Sequence, residues 1–209
     1  MNQEFIQSHM PSWLNEDNAK RVILGLKSKF QVQPREFYTF SKKLDPHFLY
    51  QGDCIKGVNI FFPDINKHIL SDVMLISNTC DMDLTNERIL PLNILVAPLV
   101  KIKKYKEILI DNGFTQERVD AHTENQKSQL TSHIIYLPGY SRSKFDDSPI
   151  EESFLFLDKT FSIPYGYDRQ AELLEKRHFT LSDFGFYFFL VKISYHFTRM
   201  QDNVERGFD

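Results

Sequence analysis

Between Gln51 and Val100 three apolar runs follow one another, separated by turn residues, and this pattern restricts the chain to folds that contain an early meander of strands. The first run, Leu49 to Phe62, predicts a strand bent or bulged at Gly52 and Gly57. Pro63-Asp64-Ile65-Asn66 is a turn signal. The second run, Val73 to Ser77, is continuously apolar, as a strand covered on both faces would be. It ends in Asn78-Thr79-Cys80-Asp81-Met82-Asp83, the densest group of reactive side chains in the chain. Asn93 to Val100 supplies the third strand.

The flanks are of a different character. In residues 1–31, Val22, Ile23, Leu26 and Phe30 recur at helical spacing after a break at Pro11 and Ser12. Residues 32–48, with Pro34 and Pro46, read as a connection carrying a short extended piece. Residues 1–48 are therefore expected to form an N-terminal helical appendage, and 49–209 the main domain. After the third strand, residues 101–131 read as a pair of polar helices inserted between strands, divided at Gly113 and Thr115. Strand character returns at Ser132 to Leu137 and over Glu152 to Ile163. The chain finishes in a helix capped by Thr180 or Ser182, with Phe184, Phe188, Val191 and Tyr195 on one stripe. Its apolar face is wide enough to demand burial against the sheet or a second chain.

Composition narrows the functional classes. A net charge of −3 over 209 residues gives no global attraction to nucleic acid, so any such site must be a local basic patch. Nineteen Phe imply an aromatic-rich core or contact surface. Two cysteines, Cys54 and Cys80, are too few for a disulfide scaffold, and reduced thiols in the cytoplasm are expected. The longest apolar run, Phe184 to Val191, falls far short of the ~20 residues of a membrane span. The N-terminus, with Glu4 and no apolar core, does not read as a secretory signal.

The order of these pieces resembles the PemK/MazF family of bacterial toxins. Gly52-Asp53 matches the strand start with which that family opens, Leu75-Ile76-Ser77-Asn78 its next strand end, and Ala97-Pro98 the pair on its third strand. Phe156-Leu157-Asp158 and the helix after Ser182 match later pieces, so the likeness runs from Gln51 to Phe197 around the insertion. The resemblance implies a mixed α/β fold: a strongly bent antiparallel SH3-like barrel with N-terminal helices, a helical insertion and a buried C-terminal helix. It also implies a nucleic-acid-associated bacterial or phage protein of toxin or defence type, and a diverged endoribonuclease. The family's catalytic Arg has no counterpart in His68-Ile69-Leu70-Ser71-Asp72, and Leu99-Val100 stand where its catalytic Thr or Ser would follow the Pro. The alternative is a non-catalytic interaction module on the same barrel, using the Phe-rich terminal helix to hold a protein partner or a second copy.

With the inherited pair absent, the residues expected to carry chemistry are Asp53, Cys80, Asp81 and Asp83. In an extended chain Asp81 and Asp83 point the same way, which suits a divalent metal held by oxygen ligands. Cys80 becomes a nucleophile if His68, His133 or His196 lies beside it. The competing reading is a set of Asx turns that end a strand around a small, inert Cys. For RNA, Lys101, Lys103 and Lys104 past the third strand, with Arg142 and Lys144, form the expected phosphate-binding patch, and Tyr105, Tyr136, Tyr140 or Phe145 are available for stacking. His196 and Arg199 could share a face of the last helix. Pro63-Asp64 lacks the spaced Asp/Glu-x-Lys that a restriction-type nuclease needs.

Overall fold

In the computed structural model, residues 33–41, 44–62, 66–143 and 147–198 are described. The expected helices of residues 1–31 lie outside them, as do Pro63, Asp64, Lys144, Phe145 and Arg199. The strands are β1 (Tyr38–Thr39), β2 (Cys54–Phe62), β3 (Lys67–Leu75), β4 (Leu92–Lys101), β5 (Ile134–Leu137), β6 (Ser153–Phe156), β7 (Phe161–Tyr165) and β8 (Arg177–Leu181). The helices are α1 (Ile102–Asp111), α2 (Gln116–Lys127), α3 (Tyr167–Glu175) and α4 (Asp183–Thr198). The fold is thus mixed α/β, with α1 and α2 as the expected insertion.

All eight strands join one antiparallel sheet in the order β1-β8-β2-β3-β4-β6-β5, with β7 on the remaining length of β4. The sheet is not closed: the ladder stops at β1 and β5. Side chains span that gap instead. The Tyr38 hydroxyl donates to the Pro138 carbonyl at 2.6 Å, and the Tyr38 ring stacks on Tyr140.

The meander read from the sequence is β2-β3-β4, and β3 is longer than the apolar run predicts. Residues 67–71 extend it because each pairs with β2, from Phe62↔Lys67 to Val58↔Ser71, and Asp72 follows at the bulge. Backbone pairing, not burial, makes this part of the strand, since most of its side chains are exposed. Gly57 makes the predicted bulge. The register shifts between Ile55 and Val58, and Gly57 takes φ +58°. A residue with a Cβ resists that conformation.

Both faces of the sheet are covered, which explains the continuous apolar reading of Val73 to Ile76. Met74 and Ala97 look into one core with Phe37, Phe184 and Phe188. Val73, Leu75, Ile94 and Val96 look into the other, closed by Leu173 of α3 and by Met82. Each fully buried Phe or Leu contributes about 2–3 kcal/mol by area alone. On α4, Phe184, Phe188 and Val191 of the apolar stripe are buried within the chain, Tyr195 is half-buried and Phe197 is exposed.

Helix α4 starts where expected. The Ser182 hydroxyl accepts from the Gly185 N–H at 3.1 Å and donates to the Glu36 carbonyl, while the Ser182 N–H donates to the Phe37 carbonyl at 2.9 Å. Gly185 lies so close to β1 that a Cβ would stand 2.3 Å from the Phe37 carbonyl oxygen. Farther along α4, Lys192 is fully buried and donates to the carbonyls of Gln129 and Thr131 at 2.9 and 2.5 Å. Gln129 in turn caps the free edge of β5. Its side-chain amide donates to the Tyr136 carbonyl at 2.6 Å and accepts from the Tyr136 N–H at 3.1 Å, as a neighbouring strand would.

Two outcomes are expected. Gly185→Ala should lower unfolding free energy by about 2–3 kcal/mol in urea titration, because backbone must move to admit the methyl. Burial pushes the Lys192 ammonium down to about 7. The unfolded chain therefore binds more protons between that value and about 10.5, and stability gains up to ~1.4 kcal/mol per pH unit there. Lys192→Met should remove that slope when the two proteins are compared between pH 7 and 9.

Candidate functional site

The strand end at Asn78 to Asp83 does not continue extended. It closes into a single 3-10 turn at Cys80–Met82, so the period-two argument that aligned Asp81 with Asp83 does not apply. Asn78 accepts from the Cys80 N–H at 2.9 Å. The Asp83 carboxylate accepts from the Thr85 N–H at 2.9 Å and the Thr85 hydroxyl at 2.8 Å, and these bonds lower its pKa. Arg88 donates to the Asp81 carbonyl at 2.6 Å, and Asn86 to the Cys80 carbonyl at 2.9 Å. The carboxylate of Asp83 and the peptide groups around it thus organise a loop. Among the described residues, no group of three or more His, Cys, Asp or Glu could hold a metal ion. Cys80 is exposed. The three histidines weighed as its base sit on other elements: His68 on β3 beside Asn59 and Phe61, His133 before β5, and His196 on α4.

Asp53 is buried in a different place. It accepts from the Tyr50 N–H at 2.9 Å and faces Arg177 at 3.4 Å. Arg177 also donates to the carbonyls of Phe48 at 2.7 Å and Pro46 at 3.2 Å. Burial raises the Asp53 pKa, opposed by the Tyr50 N–H, Thr180 and Arg177. The pair pins the 46–53 segment to β8. Gly52 and Asp53 complete the junction by backbone bonds with Leu75.

A different group of side chains comes together where β2, β3, β4 and β8 meet. Lys56, Asp72, Lys101, Glu151 and His178 line a small polar cavity of about 30 Å³. Each is there for a local reason. Lys56 precedes the Gly57 bulge, and Asp72 accepts from the bulged Gly57 N–H at 3.0 Å. Asp72 stands opposite Leu99 in register, so Lys101, two residues on, shares its face. Lys101 pairs with Glu151 at 2.5 Å. His178 enters from β8, half-buried, with Nδ1 3.4 Å from the Ser148 hydroxyl, to which Lys56 donates at 2.9 Å.

Burial pushes the His178 pKa down and the Lys56 ammonium adds to the effect, with Lys101 acting in the same sense; Asp72 and the Pro149 backbone pull it back. The imidazole is therefore held neutral near pH 7 and can take a proton. Two ammonium groups flank it and can bind or protonate an anion. A second cavity of about 240 Å³ shares Ile150 and His178 with the first and is lined also by Phe40, Tyr140 and Arg142.

Of the basic residues expected to bind phosphate, Lys101 and Arg142 thus reach adjoining cavities. Lys103 and Lys104 are exposed on α1 and line neither, and Lys144 lies outside the described residues. Lys56, Asp72, Glu151 and His178 were missed as site residues. The signal available was weak: Lys101 follows a strand, but Arg177–Leu181 has no clear strand pattern, and pairing with β2 is what places His178.

Comparison with known proteins finds no matching family model and no matching curated protein.

The structural role of Asp53 is testable. Arg177→Met should cost about 3 kcal/mol in urea unfolding by leaving a buried carboxylate unpaired, and adding Asp53→Asn should restore a large part of it.

Proposed function

We propose that this protein is a nucleic-acid-associated bacterial or phage protein of toxin or defence type, cytoplasmic, that cleaves RNA on a sheet of SH3-like barrel type. The reaction is assigned to the cavity of Lys56, Asp72, Lys101 and His178 rather than to Cys80, Asp81 and Asp83. One observation carries this reading: a half-buried His with a lowered pKa shares a small cavity with two lysines and two carboxylates, beside a larger cavity. Perturbed titratable groups that converge in a cavity are the usual mark of a reactive site.

The chemistry these groups can perform is transesterification. Neutral His178 takes the proton of a ribose 2′-hydroxyl, whose oxygen attacks the adjacent phosphorus. The 5′-oxygen leaves and takes a proton from an ammonium group, for which Lys56 is placed. The Lys101 ammonium offsets charge on the phosphoryl oxygens. Products are a 2′,3′-cyclic phosphate and a 5′-hydroxyl. These side chains suffice for each proton transfer, so the assay is run with and without divalent metal to learn whether a metal adds to them.

A second reading has its own support. Phe61, Ile69 and Leu70 on the β2-β3 hairpin are exposed, Leu70 to 73%. Phe61 and Leu70 share one face of the paired strands, and exposed apolar side chains there suit a protein partner or a second copy. On that reading the chain is a non-catalytic interaction module, and no variant would alter RNA.

The deciding experiment is RNA and DNA degradation by wild type, His178→Ala and Asp81→Ala. RNA cleavage that falls by 10²-fold or more in His178→Ala and is retained in Asp81→Ala supports the assignment. Loss in Asp81→Ala alone returns the chemistry to the Cys80–Met82 turn, and no cleavage by wild type favours the interaction module. Because burial lowers the His178 pKa, activity should be level around neutral pH and fall on acidification as the imidazole takes up a proton.

A further inference from the structure

A column of rings runs from the core to the rim of the larger cavity. Tyr38 is buried, Tyr140 is half-buried, and Phe40 is 46% exposed. Tyr140 stacks on both neighbours at an interplanar angle of 29°, with ring centroids 6.3 Å from Tyr38 and 5.8 Å from Phe40. The Arg142 guanidinium lies over Phe40, 5.1 Å from its centroid. Tyr38 lies on β1 and Phe40 just after it, and both rings reach Tyr140. Tyr140 is fixed by paired backbone bonds with Ile150, both 2.8 Å.

The inner part of the column has a structural duty, because Tyr38 spans the open seam of the sheet to Pro138. Phe40 and Arg142 are not needed for that. They carry the stack outward to solvent and line the cavity of about 240 Å³ that His178 shares. With Tyr140 stacked on Phe40 and Arg142 over the Phe40 ring, the guanidinium is the outer layer of the column, and a guanidinium plane backed by an aromatic ring is a platform on which a flat base stacks. The adjoining polar cavity of about 30 Å³, lined by Lys56 and Lys101 together with Asp72 and Glu151, admits a water or a phosphate oxygen but no ring. Ring and phosphate sites placed side by side match one nucleotide.

We infer that Phe40, Tyr140 and Arg142 form a stacking subsite for one unpaired nucleobase, whose phosphate lies toward Lys56 and Lys101. This rests on the RNA reading above and adds its recognition element. Stacking is tolerant of base identity, so the subsite demands that a base be unpaired and not that it be a particular one. A duplex would hide the ring and be a poor ligand.

The test uses two labelled six-nucleotide probes that cannot be cleaved: 2′-O-methyl oligouridylate, and the same sugar-phosphate backbone without bases. Fluorescence anisotropy with the full chain should show the base-bearing probe bound about tenfold more tightly. Phe40→Leu, which keeps apolar volume without an aromatic face, should shrink that gap to within about twofold, leave the abasic probe unchanged and leave the melting temperature unaltered. Phe40→Trp should keep the gap. Equal binding of the two probes by wild type, or a gap that persists in Phe40→Leu, overturns the subsite while leaving RNA cleavage standing. Failure of wild type to bind either probe, together with no cleavage of RNA, overturns both.

Discussion

Helix α4 meets the chain at Phe37 backbone to backbone. With no side chain at Gly185, the first turn of the helix settles against the Phe37 carbonyl, which Ser182 also engages by its N–H. That contact holds β1 beside β8 and lets the Phe37 ring sit among Phe184 and Phe188. Edge-to-face pairs of this kind add about 1 kcal/mol each beyond the area they bury. With β1 held there, Tyr38 can span the open seam and Phe40 comes to Tyr140. A packing contact in the core therefore decides the geometry at the rim of the larger cavity.

The two open ends of the sheet are handled by different means. At β1 the edge is only two residues long and is continued by aromatic rings. At β5 the free edge is occupied by the Gln129 side chain, and the Gln129 backbone carbonyl receives the buried Lys192. An unpaired strand edge is a template for association, and both devices remove part of it. The cost is a lysine whose charge is disfavoured inside the core. Its two carbonyl acceptors make that cost tolerable.

Much of the architecture was legible in the chain. The β2-β3-β4 meander, the Gly57 bulge, the inserted helices with their break at Gly113, and the Ser182 cap of α4 all stand where local pattern places them. Local chemistry governs each: apolar runs, turn residues, a hydroxyl before a helix. The expected closure into a barrel did not follow, since the ladder ends at β1 and β5. The candidate site was much less legible. Asn78 to Asp83 is dense in reactive residues, yet its Asx bonds fold it into a turn that satisfies its own backbone. The bland alternative for that segment describes its geometry better than the paired-carboxylate one.

Sequence by itself determined the elements that depend on neighbours a few residues away, and it placed Lys101 at a strand end and Arg142 in a polar loop. Only the tertiary structure decided which side chains meet. Lys56 and His178 lie 122 positions apart, as the difference between their numbers shows, and they converge because β8 pairs with β2. Strand pairing across such separations is set by how both sheet faces are buried, a property of the assembled core that no local window of sequence contains.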